Sequence, residues 1–302
     1  MKIENKHGAP ATLVRFAESK HYDAGPSDYT ATSLLAPPKI RALEKKHASH
    51  LSDDPYESPW KYFSTAFHHL ISLASADGET PEERLFTKFN GLTISGAMDL
   101  QTVTYTEDLE KLVTIGDYKL CTVYALKDTL KFEQQLNIYA WLVERCDPSA
   151  TVDKLLVYAF LRDWQISRAE RTLDYPATPA VTVELPLWSY EEREAFIVKR
   201  IKAHEDAHFK LPDCSHEERW PTESVWKIKK KGGTRAIAGA SKLRSMEAAE
   251  QALMALDSPE EHEVVYSFGT YRRCQNFCDV SRWCEQWQQS KQWQQSKEDI
   301  GT

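Results

Sequence analysis

Three short segments carry the side chains best suited to chemistry. In Ile115-Gly116-Asp117-Tyr118-Lys119 an acid and an amine stand two residues apart. Alternate residues of a strand share a face, so Asp117 and Lys119 are predicted to project side by side. A carboxylate there can bind a divalent metal, while the adjacent ammonium orients an attacking water or stabilises a pentavalent phosphate. Asp99 follows Ser95-Gly96-Ala97-Met98 on what reads as the preceding strand, and it shares the cation if the two strands are neighbours. His68 lies upstream in a run of helical periodicity and offers a neutral imidazole nitrogen as a third ligand. Taken singly these pieces are common. Asp-x-Lys usually marks a solvated strand face, and a lone histidine is more often structural than ligating. Their order is what carries information.

Sulfur forms a second group. Cys274, Cys278 and Cys284 fall inside an eleven-residue window, and Cys214 is a fourth candidate in Leu211-Pro212-Asp213-Cys214-Ser215. Four thiolates can hold a [4Fe–4S] cluster or a structural zinc ion, and packing without any metal is the third possibility. Cys121 and Cys146 are isolated and read as small buried side chains. The first residues, Met1 to Lys6, lack the apolar run of a secretory signal, and no segment approaches the ~18 apolar residues of a membrane span. The expected location is therefore the cytoplasm, where disulfides are not expected.

These residues need elements to hold them. Trp60, Phe63, Phe67, Leu70, Ile71 and Ala74 recur at helical spacing, predicting a helix from Trp60 to Ala76 that carries His68 and His69 and ends at Asp77-Gly78. Asn90-Gly91 is a tight-turn dipeptide between strands 84–89 and 92–101, which places Asp99 near a strand end. A third strand spans 112–120, and a helix over 131–146 has Phe132, Leu136, Tyr139 and Val143 in its stripe. The apolar run 155–161 suits a buried strand. A further strand at 181–185 and a long charged helix at 189–208 follow. That order predicts a mixed α/β core with helices packed on a small sheet.

Four regions are expected: a helical arm at 1–55, a core at 56–210, a cysteine-rich region at 211–285 and a flexible tail at 286–302. The tail is built from two copies of Gln-Trp-Gln-Gln-Ser-Lys. Within the cysteine-rich region, residues 225–230, Lys231-Gly232-Gly233 and 234–237 read as a basic hairpin. A net charge of −7 excludes a protein that coats nucleic acid by bulk attraction, but not a local grip. Lys227, Lys229, Lys230, Lys231 and Arg235 either neutralise phosphates there or form a solvated face. Trp283, Trp287 and Trp293 either stack on single-stranded bases or pack around the cysteines.

In combination the segments resemble the RecB-like branch of the PD-(D/E)XK nucleases, which includes phage exonucleases and CRISPR-adaptation nucleases. Ser64-Thr65-Ala66-Phe67-His68 looks like the family's G-T-x-x-H helix motif with Ser for Gly. Glu82-Glu83-Arg84-Leu85, Gly96-Ala97-Met98-Asp99 and Asp117-Tyr118-Lys119 follow in the family's order, with Asp117 where many relatives have Glu. Gln135-Leu136-Asn137-Ile138-Tyr139 matches the Q-x-x-x-Y motif, and Thr30-Ala31-Thr32-Ser33-Leu34-Leu35-Ala36-Pro37 resembles the early S-x-T-x-L-L segment. The resemblance covers most of the first 145 residues and the cysteine region.

The resemblance implies a restriction-endonuclease-like core that hydrolyses DNA phosphodiester bonds with Mg²⁺ or Mn²⁺, as an exonuclease in recombination, repair or phage genome processing. His68, Asp99, Asp117 and the backbone carbonyl of Tyr118 would be the metal ligands, and Lys119 the catalytic lysine. Gln135 and Tyr139 would support the site or contact the DNA backbone, with Glu83 just outside the ligand set. The motif register favours His68 over His69. An iron–sulfur cluster on Cys214, Cys274, Cys278 and Cys284 is implied ahead of zinc, although in such relatives the lone first cysteine often precedes the core and here it follows. Two other classes remain. A DNA-binding scaffold that kept the nuclease fold has no need of the full Asp, Asp, Lys set, and a redox protein leaves that set unexplained. The nuclease reading requires the carboxylates of Asp99 and Asp117 to lie on one side of the folded chain.

Overall fold

In the computed structural model the chain is described over residues 2–19, 24–74 and 76–300, with side chains described to residue 292. It divides into two compact units. One contains Met1–Ala36 and Ala48–Lys210, the other Pro37–His47 and Leu211–Thr302. The first 55 residues are thus not a separate arm. Most of them join the first unit, while the helix Pro38–Lys46 belongs to the second.

The first unit is built on one mixed sheet. The strands Glu79–Phe89 and Leu92–Tyr105 pair antiparallel across the Asn90-Gly91 turn, where both residues take positive φ (50° and 79°), as a twisted two-residue hairpin requires. Leu92–Tyr105 also pairs antiparallel with Lys111–Cys121, from Leu100 opposite Gly116 outward. Lys111–Cys121 runs parallel to Ala150–Leu161, which pairs antiparallel with Ala180–Leu185. A short strand, Tyr29–Thr30, lies parallel to Ile94 and Ser95.

Parallel neighbours need a crossover, and the helix Leu130–Cys146 supplies it. Every residue from Gln135 to Val143 in this helix is buried. Leu136, Trp141 and Leu142 share the core with Ile94, Met98, Ile115 and Leu155 of the sheet. Asn137, fully buried, is satisfied by donating to the carbonyls of Glu133 and Pro186 and accepting from the Trp188 amide. The helix approaches the sheet closely at Gly96, where an added Cβ would sit 2.7–2.8 Å from Leu142 and the Tyr139 ring. The helix Tyr190–Phe209 starts at a Ser189/Glu192 capping box, and Arg200 and His204 hold the carbonyls of Leu34 and Ala36. The result is the restriction-endonuclease-like arrangement expected from the sequence, a central mixed sheet flanked by helices.

Several boundaries differ from the sequence reading. The helix bearing His68 spans Pro59–Ser72, shorter than 60–76. Both hairpin strands are longer than expected, because their pairing continues to Glu79 opposite Thr102. Asp99 consequently lies mid-strand rather than near an end.

In the second unit Val225–Lys230 pairs regularly with His262–Ser267, not with an immediate return. The segment after Gly233 pairs with it irregularly, through isolated bridges at Lys229–Ala236 and Trp226–Leu243 and through Ile228 bonds to Ile237 and Ala240. The return is Ala-Ile-Ala-Gly-Ala, with Gly239 at φ 80°, whereas the distant partner is rich in β-branched and aromatic residues. The tail expected to be flexible is the helix Glu285–Ile300, and Trp287 of its first repeat copy is buried. No helix among the described residues is long and apolar enough to cross a membrane.

Candidate metal centre

Two contacts fix the histidine. Phe67 packs edge-on against Phe160 (centroids 4.7 Å apart) and Tyr118 (6.4 Å), which seats its helix on the sheet. The next side chain, His68, then reaches the strands, while His69 is exposed. His68 Nδ1 lies 3.2 Å from Asp99 Oδ1 and 3.6 Å from Glu82 Oε1. One ligand atom from each of His68, Glu82 and Asp99 falls within 4.8 Å of the others, a spacing compatible with one ion. Asp99 Oδ2 accepts the Tyr118 amide (2.8 Å), so the Asp99 carboxylate is held against the strand that carries Asp117. Burial opposes a charge on His68, but the nearby carboxylates of Asp99 and Glu82 outweigh it and raise the imidazole to about 10.

Glu82 was not among the expected ligands. Its neighbours Pro81 and Glu83 pair with Leu100 and Met98, so position 82 lies opposite Asp99. Glu82 leaves the ladder with φ 51°, a conformation that costs a non-glycine residue about 1–3 kcal/mol and that gathers at functional sites. The two-residue turn fixes which position faces Asp99, so the signal was present in the sequence. Glu83, expected just outside the ligand set, accepts a hydrogen bond from Gln101.

Asp117 is 1% exposed, and neither carboxylate oxygen has a hydrogen-bond partner. The Lys119 ammonium lies 2.5 Å from Oδ2 as its ion-pair partner, so Oδ1 is the oxygen left unsatisfied. Burial pushes the Asp117 carboxyl above its usual range. Lys119 opposes that shift and the charge of Asp99 adds to it. Burial disfavours the charged Lys119, but Asp117 and Asp99 more than compensate and hold it protonated. Asp117 is thus electrostatically coupled to the cluster while lying outside its tightest three members. Buried anions are normally satisfied. A buried carboxylate whose Oδ1 is unsatisfied, beside Asp99 and His68 and balanced by one ammonium, is a donor set that a hard divalent cation fits.

Gln135 and Tyr139 are buried and bonded to each other, Gln135 Nε2 donating to the Tyr139 hydroxyl (2.7 Å). One turn earlier on the same helix, Phe132 lies under the Lys119 ammonium at 5.9 Å.

In the second unit Cys214, Cys274, Cys278 and Cys284 line one cavity with Lys39, Leu43 and Trp287. Burial and the neighbouring thiols push Cys214 up to about 12, and burial pushes Cys278 up to about 11. No three of these sulfurs lie within 4.8 Å of one another among the described residues. Gln286, from the first repeat copy, clamps the backbone of Cys214 through two hydrogen bonds. Cys146, expected to be buried, is exposed, and Cys121 is half-buried.

The basic strand is largely neutralised. Lys229 pairs with Glu263 (3.3 Å), Lys230 with Glu261 (2.9 Å), and Lys227 donates to Ser267, leaving Lys231 and Arg235 exposed. The glutamates arrive on the 262–267 strand and the turn before it, a partner the local reading did not anticipate. Trp283 stacks on His47 (4.2 Å) beneath Arg282, while the Trp293 side chain lies outside the described residues.

No protein-family model matches the sequence, and no curated protein matches it. Among solved structures, the chain is similar to SSO0001 at 16% identity and TM-score 0.41, over 66% of this chain and 83% of that one. It is also similar to a phage-related exonuclease from Haemophilus somnus 129PT at 15% identity and TM-score 0.28, over 57% and 72%.

Proposed function

We propose that this chain is a Mg²⁺- or Mn²⁺-dependent deoxyribonuclease of the RecB-like PD-(D/E)XK type. The observation that carries the reading is the buried Asp117–Lys119 pair, with Asp117 Oδ1 unsatisfied, close enough to Asp99 and His68 of the His68, Glu82 and Asp99 cluster for their charges to act on it. The required juxtaposition of Asp99 and Asp117 is met, since Asp99 accepts the amide of the residue after Asp117. Oxygen ligands with one imidazole suit Mg²⁺ or Mn²⁺ better than zinc. The cation would supply Lewis acidity and an acidified water. Glu82, Asp99, Asp117 and a deprotonated His68 would hold it, and the Tyr118 amide would keep Asp99 in place. Lys119, protonated and on the same face, would meet the charge that develops on phosphate.

The four cysteines supply a soft donor set suited to an iron–sulfur cluster. A structural zinc ion is the alternative occupant of the same four sulfurs. Anaerobically purified protein is expected to show the visible absorbance of a cluster. With Mg²⁺, the protein is expected to degrade end-labelled linear DNA and spare closed circles, as an exonuclease in DNA recombination or processing would. Asp117→Ala and Lys119→Ala should each lower cleavage by about 10³-fold or more while DNA binding persists. Wild-type protein that binds DNA but cleaves neither substrate with either ion would leave the scaffold reading in its place.

A further inference from the structure

The second unit contains an open cavity of about 500 Å³, lined by apolar surface with a few polar groups, that the metal centre and the cysteines do not explain. Its lining includes Arg219 and His216 and no acidic residue, in a chain whose acids outnumber its bases. Arg219 is 7% exposed. Its Nη2 donates to Ser290 Oγ (2.6 Å) and its guanidinium lies over the Tyr271 ring (3.4 Å), but its buried Nε has no hydrogen-bond partner. No carboxylate among the described residues forms an ion pair with it. The flanking glutamates are committed elsewhere, Glu217 accepting from the Ser215 hydroxyl and Glu218 from the Ser215 amide. Arg219 borders the cysteine cavity as well, and a buried arginine needs an anion on one side or the other; its contacts to Ser290 and Tyr271 place it on this wall too.

The first copy of the tail repeat completes the wall. Its helix sends Trp287 to the cysteine cavity, places Gln286, bonded to Cys214, on the border of both, and turns Gln289 and Ser290 toward this one. Opposite stand the hydroxyls of Thr222 and Ser224 and the aromatic rings of Phe268 and Tyr271. Gly269 permits this closure, since a Cβ there would fall 2.1 Å from the Thr222 carbonyl oxygen. A guanidinium with free donor capacity, hydroxyl and amide groups and two rings suit a phosphoryl group joined to a base. The volume lies in the range of small-ligand sites.

We propose that this cavity takes the phosphoryl group of a nucleotide, either free or as a residue of a nucleic-acid strand, with Arg219 as the cation that receives it. The inference stands on the second unit's own residues and holds whether or not the metal centre cleaves DNA.

The test is calorimetric titration of the full chain in EDTA with inorganic phosphate, thymidine 5′-monophosphate, thymidine and a single-stranded thymidine hexanucleotide. Phosphate and the monophosphate should bind saturably, and thymidine about tenfold more weakly than the monophosphate or worse. Because Arg219→Gln could disturb folding, the deciding variants are at exposed Gln289. Gln289→Glu should weaken monophosphate binding about tenfold and Gln289→Lys should strengthen it. A hexanucleotide that binds tighter than the monophosphate and loses that advantage in Gln289→Glu identifies a strand as the source. Equal affinities identify a free nucleotide. The proposal is overturned if wild-type protein binds neither phosphate nor the monophosphate, if thymidine binds as well as the monophosphate, or if both Gln289 variants bind like the wild type.

Discussion

At the scale of single residues, Glu82 separates the demands of folding from those of the site. A side chain at φ 51° strains the backbone, and the strain has no packing return, because Glu82 is exposed and outside the ladder. Glu82→Gly relieves strain of on the order of 1 kcal/mol but also removes a partner of the charged His68, so the change in thermal midpoint in EDTA should grow more favourable as pH rises and that pair is lost. The same substitution should shrink the midpoint gain on adding Mn²⁺, since a ligand for the native state stabilises only as far as it binds. Equal metal-induced gains in variant and wild type would remove Glu82 from the ligand set. His68 sets the pH dependence. Its folded value, about 10, lies above the ordinary 6.5, so its ion pairs stabilise fully below 6.5 and are lost as pH rises toward 10. Stability in EDTA should therefore decline across that span, and His68→Gln should flatten the decline. Metal binding has the opposite slope, because the proton must leave before the imidazole can ligate. The Mn²⁺-induced gain should grow with pH over the same interval in the wild type and not in the variant.

At the scale of elements, what the sequence revealed depended on how local the determinant was. Asn90-Gly91 fixed a hairpin and its register through two φ angles, and the Phe67 and Leu136 periodicities announced the two helices that flank the sheet. The partner of Val225–Lys230 was not readable, because small residues follow it directly and the β-branched partner arrives only at His262. That misreading made the lysines look freer than they are, since their glutamates come with the distant strand. Glu82 was overlooked for a related reason. Alternation along one strand assigns faces, whereas its proximity to Asp99 follows from the pairing of two strands and a break in the ladder. Helix-on-sheet packing adds its own requirement at Gly96. Gly96→Ala would force a methyl to within 2.7–2.8 Å of Leu142 and Tyr139, an overpacking cost of about 1–3 kcal/mol. Chemical denaturation should register that loss, with DNA cleavage falling as well, since Met98 and Asp99 follow on the same strand. An unchanged denaturation midpoint would show that the helix can shift freely at this contact.

At the scale of the whole molecule, the chain leaves one compact unit and returns to it. Residues 37–47 belong with 211–302, although they are flanked in sequence by segments of the first unit. A division read from composition, with an arm ending at 55 and a core ending at 210, places the helix Pro38–Lys46 with the wrong partners. Ile40 and Leu43 of that helix are 9% and 4% exposed and line the cysteine cavity. A fragment ending at Lys210 therefore keeps the full sheet and the candidate metal centre but uncovers both side chains, creating an apolar patch on a short helix. Such a fragment is expected to self-associate in light scattering after size exclusion, and Leu43→Glu within it should restore a monomer. In the full chain the same substitution buries a charge beside the cysteines, and it should cost about 3 kcal/mol or more in the second unit. A fragment that is monomeric without any change at Leu43 would show that Pro38–Lys46 finds adequate cover within the first unit alone.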